Sequence, residues 1–301
     1  MRRLSLSLFA LFAVVVGGLP PVAVAAPRVA EPANPLGLAY DNASGVAPYG
    51  KPTGMVVTGR CNRYDPAFAA ARAGGAEVLA YLAPTERPDA PVCAADTAFY
   101  GGDLSKTALW PYPSYGQRVN WPKTHMTDIR AGLAWSNHVV AYIENLMRED
   151  KVDGVYLDVV GARTWSKLAD WDSWSKSEQQ LWTAGNVDLV RRLDASRRAI
   201  NPRFIIVNNN IWDYAAGTAA ERYVDGISLE HHKPTSEYHR ALAARPYGNA
   251  GHRRVIAIAM NAAEARQWAA VPGVTHVSSQ ATYGTPPAPP VPFHRLTDRN
   301  R

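Results

Sequence analysis

Cysteine is nearly absent: the 301-residue chain contains two, Cys61 and Cys93. Neither a Cys-x-x-Cys pair nor a Cys/His spacing of the structural-zinc kind occurs, which excludes a zinc-stapled module. Long hydrophobic runs are equally scarce. The one near the N-terminus, Leu4 to Val16, falls short of the ~18 residues expected of a spanning helix and is broken beyond by Gly17, Gly18, Pro20 and Pro21, so no membrane insertion is expected. The formal charge is +6 and the pI about 9.3. No run of five or more basic residues accompanies it, so the footprint of a nucleic-acid-binding tail is missing. His-x-His and His-Glu-x-x-His motifs are also lacking, which leaves His231-His232 as a weak basis for a metal site, and no metal or cofactor is expected.

What the N-terminus does have is Met1-Arg2-Arg3, an apolar stretch, and the small residues Ala23-Val24-Ala25-Ala26 before Pro27, the layout of a cleavable secretory signal over residues 1–26. A secreted, extracellular protein is expected. Its removal leaves roughly 275 residues, a length that suits one large α/β barrel or two small domains. With 47% hydrophobic and 19% charged residues, the chain can bury a full core. The Pro-rich run from Thr285 to Pro292 cannot continue a helix, so residues 285–301 read as an extended tail and residues 27–284 as the folded domain. An even cysteine count in an exported chain favours one disulfide, Cys61 to Cys93.

Eight short β-rich runs punctuate that domain: 38–41, 55–58, 78–82, 155–158, 204–208, 227–230, 255–259 and 274–278. Between them, helical periodicity appears at Trp135, Val139, Val140, Ile143, Leu146 and Met147 and again at Leu181, Val187, Val190, Leu193 and Ile200. Ser177 with Gln180 supplies a capping-box pattern for the second. Shorter helices fit 66–73, 218–223, 236–244 and 262–270. Alternating β and α argues for a parallel sheet, and eight strands is the number of a TIM-type (β/α)8 barrel. The first two strands are too close for a helix between them and none follows the last, so the barrel is expected to lack helices in places. An open doubly wound sheet fits the same alternation.

Two of the strands share the pattern V-D-G-[VI]-x-L-[DE]: Val152 to Asp158 and Val224 to Glu230. Side chains alternate along a strand, so Gly154, Tyr156 and Asp158 share one face, as do Gly226, Ser228 and Glu230. Each carboxylate closes its strand, at the C-terminal mouth where barrel enzymes do their chemistry. Two carboxylates across such a mouth are what glycosidic cleavage needs, one as a protonated acid and one ionised. Aspartate's shorter reach suits a fixed nucleophile and glutamate's extra methylene a group that donates and recovers a proton. Asp158 as nucleophile and Glu230 as general acid/base of a retaining reaction is therefore the preferred assignment, while the sequence leaves open which carboxyl is raised and whether the outcome is retaining or inverting. Aromatic residues crowd the same region: Trp110, Tyr112, Tyr115 and Trp121 in the long stretch 83–133, then Trp165, Trp171, Trp174 and Trp182. Sugar rings present apolar C–H faces to such platforms, although about half of these rings should pack loops down, with Trp135 and Trp182 in the core.

The run Asn120-Trp121-Pro122, then Met126-Thr127-Asp128-Ile129-Arg130, a helix, and Val152 to Asp158 resembles the endo-α-1,4-polygalactosaminidases (glycoside hydrolase family 114) and related glycosyl-hydrolase barrels. The strands ending in Asn208 and Glu230 resemble that group's later strands, and the similarity extends over about 38–283. It implies a TIM-type barrel in which Asp158 and Glu230 match the catalytic pair, acting on an amino-sugar-containing polysaccharide. The chain departs from the family after each carboxylate, with Val159-Val160-Gly161 and His231-His232. Asp128 and Arg130 either grip a substrate hydroxyl or form a structural ion pair. Tyr40, Asp41 and Glu86, placed at other strand ends, are further cleft candidates, as are Tyr156, Asn208, His231, Asn261, Gln280 and Tyr283. The expected partner is a poly- or oligosaccharide, with no nucleic acid, bound by a monomer. A catalytically silent carbohydrate-binding barrel and a metal-dependent deacetylase or amidase are the alternative readings.

Overall fold

The computed structural model describes residues 33–39, 43, 46, 50, 52–91, 93–102, 107–112, 119, 123–164, 169–209, 218–230, 232–248 and 252–278. The expected signal segment and Pro-rich tail lie outside them, as do Tyr40, Asp41, Trp121, Trp165, His231, Gln280 and Tyr283.

In chain order the strands are β1 (Asn34–Ala39), β2 (Met55–Thr58), β3 (Glu77–Leu82), β4 (Glu86–Pro88), β5 (Thr124–Met126), β6 (Gly154–Leu157), β7 (Ile205–Asn209), β8 (Gly226–Glu230), β9 (Ile256–Ile258) and β10 (His276–Ser278). The helices are α1 (Pro66–Ala73), α2 (Ala94–Phe99), α3 (Ala134–Glu149), α4 (Lys176–Ile200), α5 (Glu237–Ala244) and α6 (Ala262–Ala269). Eight parallel strands close into a barrel in the order β1-β10-β9-β8-β7-β6-β3-β2. The fold is a TIM-type (β/α)8 barrel, and each barrel strand overlaps one of the eight expected runs, although β1 starts four residues before its run and shares only Leu38 and Ala39 with it. Helices α1, α3, α4, α5 and α6 connect successive barrel strands, and a 3-10 turn at Thr218–Tyr223 stands where β7 leads to β8.

Two expectations need correction. Helix α4 begins two residues earlier than its expected capping box: Ser175, not Ser177, accepts the Glu178 N–H. The Ser-x-x-Glu spacing at 175–178 is the one used, because Glu178 is then buried and its Oε1 receives the Trp110 indole N–H at 2.9 Å. Glu86 does not end a barrel strand, since β3 stops at Leu82. It opens β4, which pairs antiparallel with β5 outside the barrel. This ribbon and α2 fill the long stretch after β3.

The shared V-D-G pattern has a structural half as well as a chemical one. Asp153 donates its backbone N–H to Val78 O (2.7 Å) and accepts the Val78 N–H on Oδ2 (2.8 Å), while Arg72 of α1 donates to its carboxylate. Asp225 repeats this further round the barrel: its N–H bonds Ile206 O (2.7 Å), its Oδ2 accepts the Ile206 N–H (2.7 Å), and Arg197 of α4 pairs with it. Each Asp thus pins the start of its strand to a neighbouring strand and helix. The glycine that follows is required by space, since a Cβ on Gly154 would overlap the Ile205 carbonyl oxygen and one on Gly226 the Arg254 carbonyl oxygen.

Inside the barrel, Leu36, Leu38, Met55, Val57, Leu79, Tyr156, Ile205, Val207, Ile256 and Ile258 form the packed centre. Val155, Leu157, Ile206 and Leu229, one residue out of phase, belong to the outer core shared with the helices. Cys61 and Cys93 are disulfide-bonded with Cα atoms 5.9 Å apart, closing a loop of sequence separation 32. Loop-closure entropy puts its contribution at roughly 3–4 kcal/mol. A Cys61→Ser/Cys93→Ser variant is expected to unfold at lower urea with the fold unchanged, since serine can still cap α2 as Cys93 does. An unshifted midpoint would show that the bridge adds nothing.

Candidate active site

The alternation that fills the barrel with aliphatic side chains changes character at the C-terminal ends of four adjacent strands, β3, β6, β7 and β8. Continuing inward from Leu79 is Tyr81; from Tyr156, Asp158; from Ile205 and Val207, Asn209; from Ser228, Glu230. These four polar side chains make one connected row. Tyr81 donates its hydroxyl to Asp158 Oδ2 at 2.6 Å. The Asn209 amide Nδ2 donates to Asp158 Oδ1 at 2.7 Å and to Glu230 Oε2 at 2.9 Å. A third donor reaches Asp158 from the backbone, the Val159 N–H at 2.9 Å.

Burial pushes the Glu230 carboxyl up to about 7, with the neighbouring Asp158 charge adding to the rise and the Asn209 hydrogen bond opposing it. A carboxyl raised this far can carry a proton near neutral pH. The two facing carboxylate oxygens can be no farther apart than the two Asn209 bonds laid end to end. Below the row, Tyr156 stacks on Tyr81 with ring centroids 6.0 Å apart. At 1% exposure it is a floor of the site and not a contact surface for a ligand.

Several other candidates sit elsewhere. Asn208 is not in the row: it is fully buried on the outer face of β7, where its Nδ2 donates to Val160 O at 3.0 Å. The side chain that reaches the mouth is the next one, Asn209, because a one-residue shift along a strand exchanges the two faces. Trp110 is 4% exposed and packs with Trp174 and Trp182, so it holds the long loop against α4 instead of lining a cleft. Asp128 and Arg130 form a bidentate ion pair, Nε to Oδ1 at 2.8 Å and Nη2 to Oδ2 at 2.6 Å. The backbone at Ile129 lies so close to α4 that a Cβ on Gly185 would come within 2.7 Å of the Ile129 oxygen. Tyr112, 38% exposed, accepts the Arg130 Nη1 on its hydroxyl and is the described aromatic candidate that faces solvent. Glu86 is buried, with its carbonyl accepting the Tyr100 hydroxyl. Asn261 caps α6, accepting from Ala263 and Glu264. His232 bonds the Glu230 carbonyl through Nδ1 at 2.7 Å and lies against His239. Among the described residues, the one three-ligand cluster of metal-binding type is Cys61, Cys93 and Asp96, whose sulfurs are spent on the disulfide.

Comparison with known proteins gives the same architecture. The glycoside hydrolase domain of PelA from Pseudomonas aeruginosa superposes with a TM-score of 0.54 at 16% identity, over 83% of this chain and 96% of that one. Ega3 of Aspergillus fumigatus, in complex with galactosamine, superposes with a TM-score of 0.51 at 14% identity, over 84% of this chain and 93% of that one. The fold is one used by glycoside hydrolases. No family model matches the sequence, and no curated protein matches it either.

Proposed function

We propose that the protein is a secreted, retaining glycoside hydrolase acting on an amino-sugar-containing polysaccharide, with Asp158 as nucleophile and Glu230 as general acid/base. The observation that carries this reading is the Asn209 bridge, which holds two carboxylates within reach of one sugar ring, one of them raised to about 7. Glu230 would protonate the departing glycosidic oxygen while an Asp158 oxygen attacks the anomeric carbon, giving a glycosyl ester and an ionised Glu230. Glu230 would then take a proton from water as that water attacks the same carbon, and Asp158 leaves as the carboxylate. Tyr81 and Asn209 hold the nucleophile in one orientation throughout. The amino-sugar specificity is supported by the likeness to galactosamine-bound Ega3 and by the sequence resemblance. Export is supported by the N-terminal pattern and by the disulfide, which persists in oxidising compartments.

Digestion of a panel of amino-sugar polysaccharides by residues 27–284, followed by product NMR, tests this reading. Release of oligosaccharides whose first-formed anomer matches the substrate is expected, and tight binding without cleavage of any member would instead favour a silent lectin-like barrel. The pH profile is a separate expectation. Because the acid must be protonated, kcat/KM is expected to fall as pH rises through about 7, the value set by Glu230. Undiminished kcat/KM at pH 9 would remove Glu230 from the role of acid.

A further inference from the structure

The residue that follows Asp158 adopts a conformation its side chain disfavours. Val159 stands at φ 56°, in the left-handed region, with its side chain fully buried. A β-branched residue rarely occupies that region and persists there only where its surroundings over-determine it. The surroundings are visible. The Thr85 hydroxyl, itself fully buried, donates to the Val159 carbonyl at 3.0 Å. The preceding carbonyl, Pro84 O, is fixed from two sides by the Thr127 hydroxyl and the Trp135 indole N–H, both at 2.8 Å. One residue earlier than Val159, the Asp158 N–H still bonds Leu82 O at 2.8 Å, so the barrel ladder runs up to Asp158 and the turn begins immediately after it.

We propose that the Val159 peptide, clamped left-handed by the Thr85 hydroxyl, is a positioning device that aims the Asp158 carboxylate. The 158–159 peptide is held between two anchors, the Asp158 N–H on Leu82 O before it and the Val159 carbonyl on the Thr85 hydroxyl after it, and from that peptide the Val159 N–H donates to Asp158 Oδ1. Of the three donors to Asp158 described here, Tyr81 and Asn209 are side chains with rotamers of their own, and the Val159 N–H is the one with none. It therefore sets the carboxylate plane that the other two complete. Thr85 touches no reacting atom and acts through Val159, which makes it a positioning residue. The role presupposes Asp158 as nucleophile, whereas the clamp itself does not.

Thr85→Val keeps the shape and deletes the donor, and Thr85→Ser restores the donor. Thr85→Val is expected to lower kcat about 10–100-fold with KM within about twofold, the cost typical of a slightly misplaced reacting group. Thr85→Ser is expected to recover kcat to within about threefold of wild type on the same basis. Amide hydrogen exchange at Val159, followed by NMR, needs no substrate. It should be strongly protected in the wild type and at least ~10-fold faster in Thr85→Val. Exchange at Val159 in the wild type as fast as in an open loop would overturn the clamp, even if Thr85→Val fails to fold. Accelerated exchange with unchanged kcat would overturn the positioning role alone. If the wild type cleaves no polysaccharide, the glycosidase reading falls and takes the positioning role with it, while slow exchange at Val159 would still uphold the clamp.

Discussion

Glu230→Gln is expected to lower turnover on a polysaccharide by about 10²–10⁴-fold, and Asp158→Asn by at least as much, with binding of the sugar chain retained in both. The two losses should differ in kind. On an aryl glycoside with an activated leaving group, protonation is unnecessary, so Glu230→Gln should form the glycosyl ester rapidly and then stall until an added anion such as azide takes the place of the base-activated water. Asp158→Asn has no nucleophile to present and should gain nothing from the better leaving group. Near-wild-type turnover in either variant, or identical responses of both to azide, would contradict the assignment. The fold control has a signature of its own. The folded-state value of Glu230 is raised to about 7 from 4.5. Its contribution to stability is thus fully present below about 4.5 and is lost as pH rises through 7. The glutamine side chain of the variant does not titrate, so Glu230→Gln should match the wild type near pH 4 and exceed it at pH 8, by on the order of 2 kcal/mol once partial solvent screening is allowed for.

Arg197→Met is expected to cost about 3–5 kcal/mol of stability, the toll of breaking a buried ion pair from one side. Arg197 is buried between Asp194 and Asp225, bonding the first through Nε at 2.9 Å and the second through Nη1. Methionine fills similar volume but leaves Asp225, with no exposed surface, facing an apolar wall while it still receives the Ile206 N–H. Burial already raises the Asp225 carboxyl, against the pull of Arg197. Without the guanidinium it rises further, so the deficit should be smaller at pH 5 than at pH 8. Pairing Arg197→Met with Asp225→Asn should recover part of the loss, because an amide oxygen still accepts from Ile206 without carrying charge. Urea midpoints of the two single variants and the double variant decide this, and a strictly additive double variant would show that the pair is not coupled.

The barrel is legible in the sequence because its signal is redundant: eight separate runs of β-rich residues, each followed by a turn or a helix, have few other ways to close. The carboxylate row is legible at Asp158 and Glu230, where one pattern occurs twice in the same register. At β7 the sequence points one residue astray. Ile205-Ile206-Val207-Asn208-Asn209 offers two adjacent asparagines and apolar residues on both faces, so only the strand's register in the barrel says which asparagine looks inward. Tyr81 is hidden for the same reason, inside the uniformly apolar run 78–82. The Asp153 and Asp225 clamps escape sequence reading because a surface-like acid and a distant arginine carry no pairing information until helix and strand are docked. For Trp110, residue type alone suggests a sugar platform, and only the packing of α4 shows the ring turned inward.

In the proposed reaction the Asn209 amide would face a constant total charge. The resting pair holds a single negative charge at Asp158. When that oxygen becomes an ester, the charge reappears on Glu230, which has just released its proton, and it returns when water is split. The NH2 group that bonds both acids is thus opposite one anion at every stage, with only the end it faces changing. In that scheme the pocket would exchange no net charge with solvent during turnover, and the anion would move only from one side of the amide to the other.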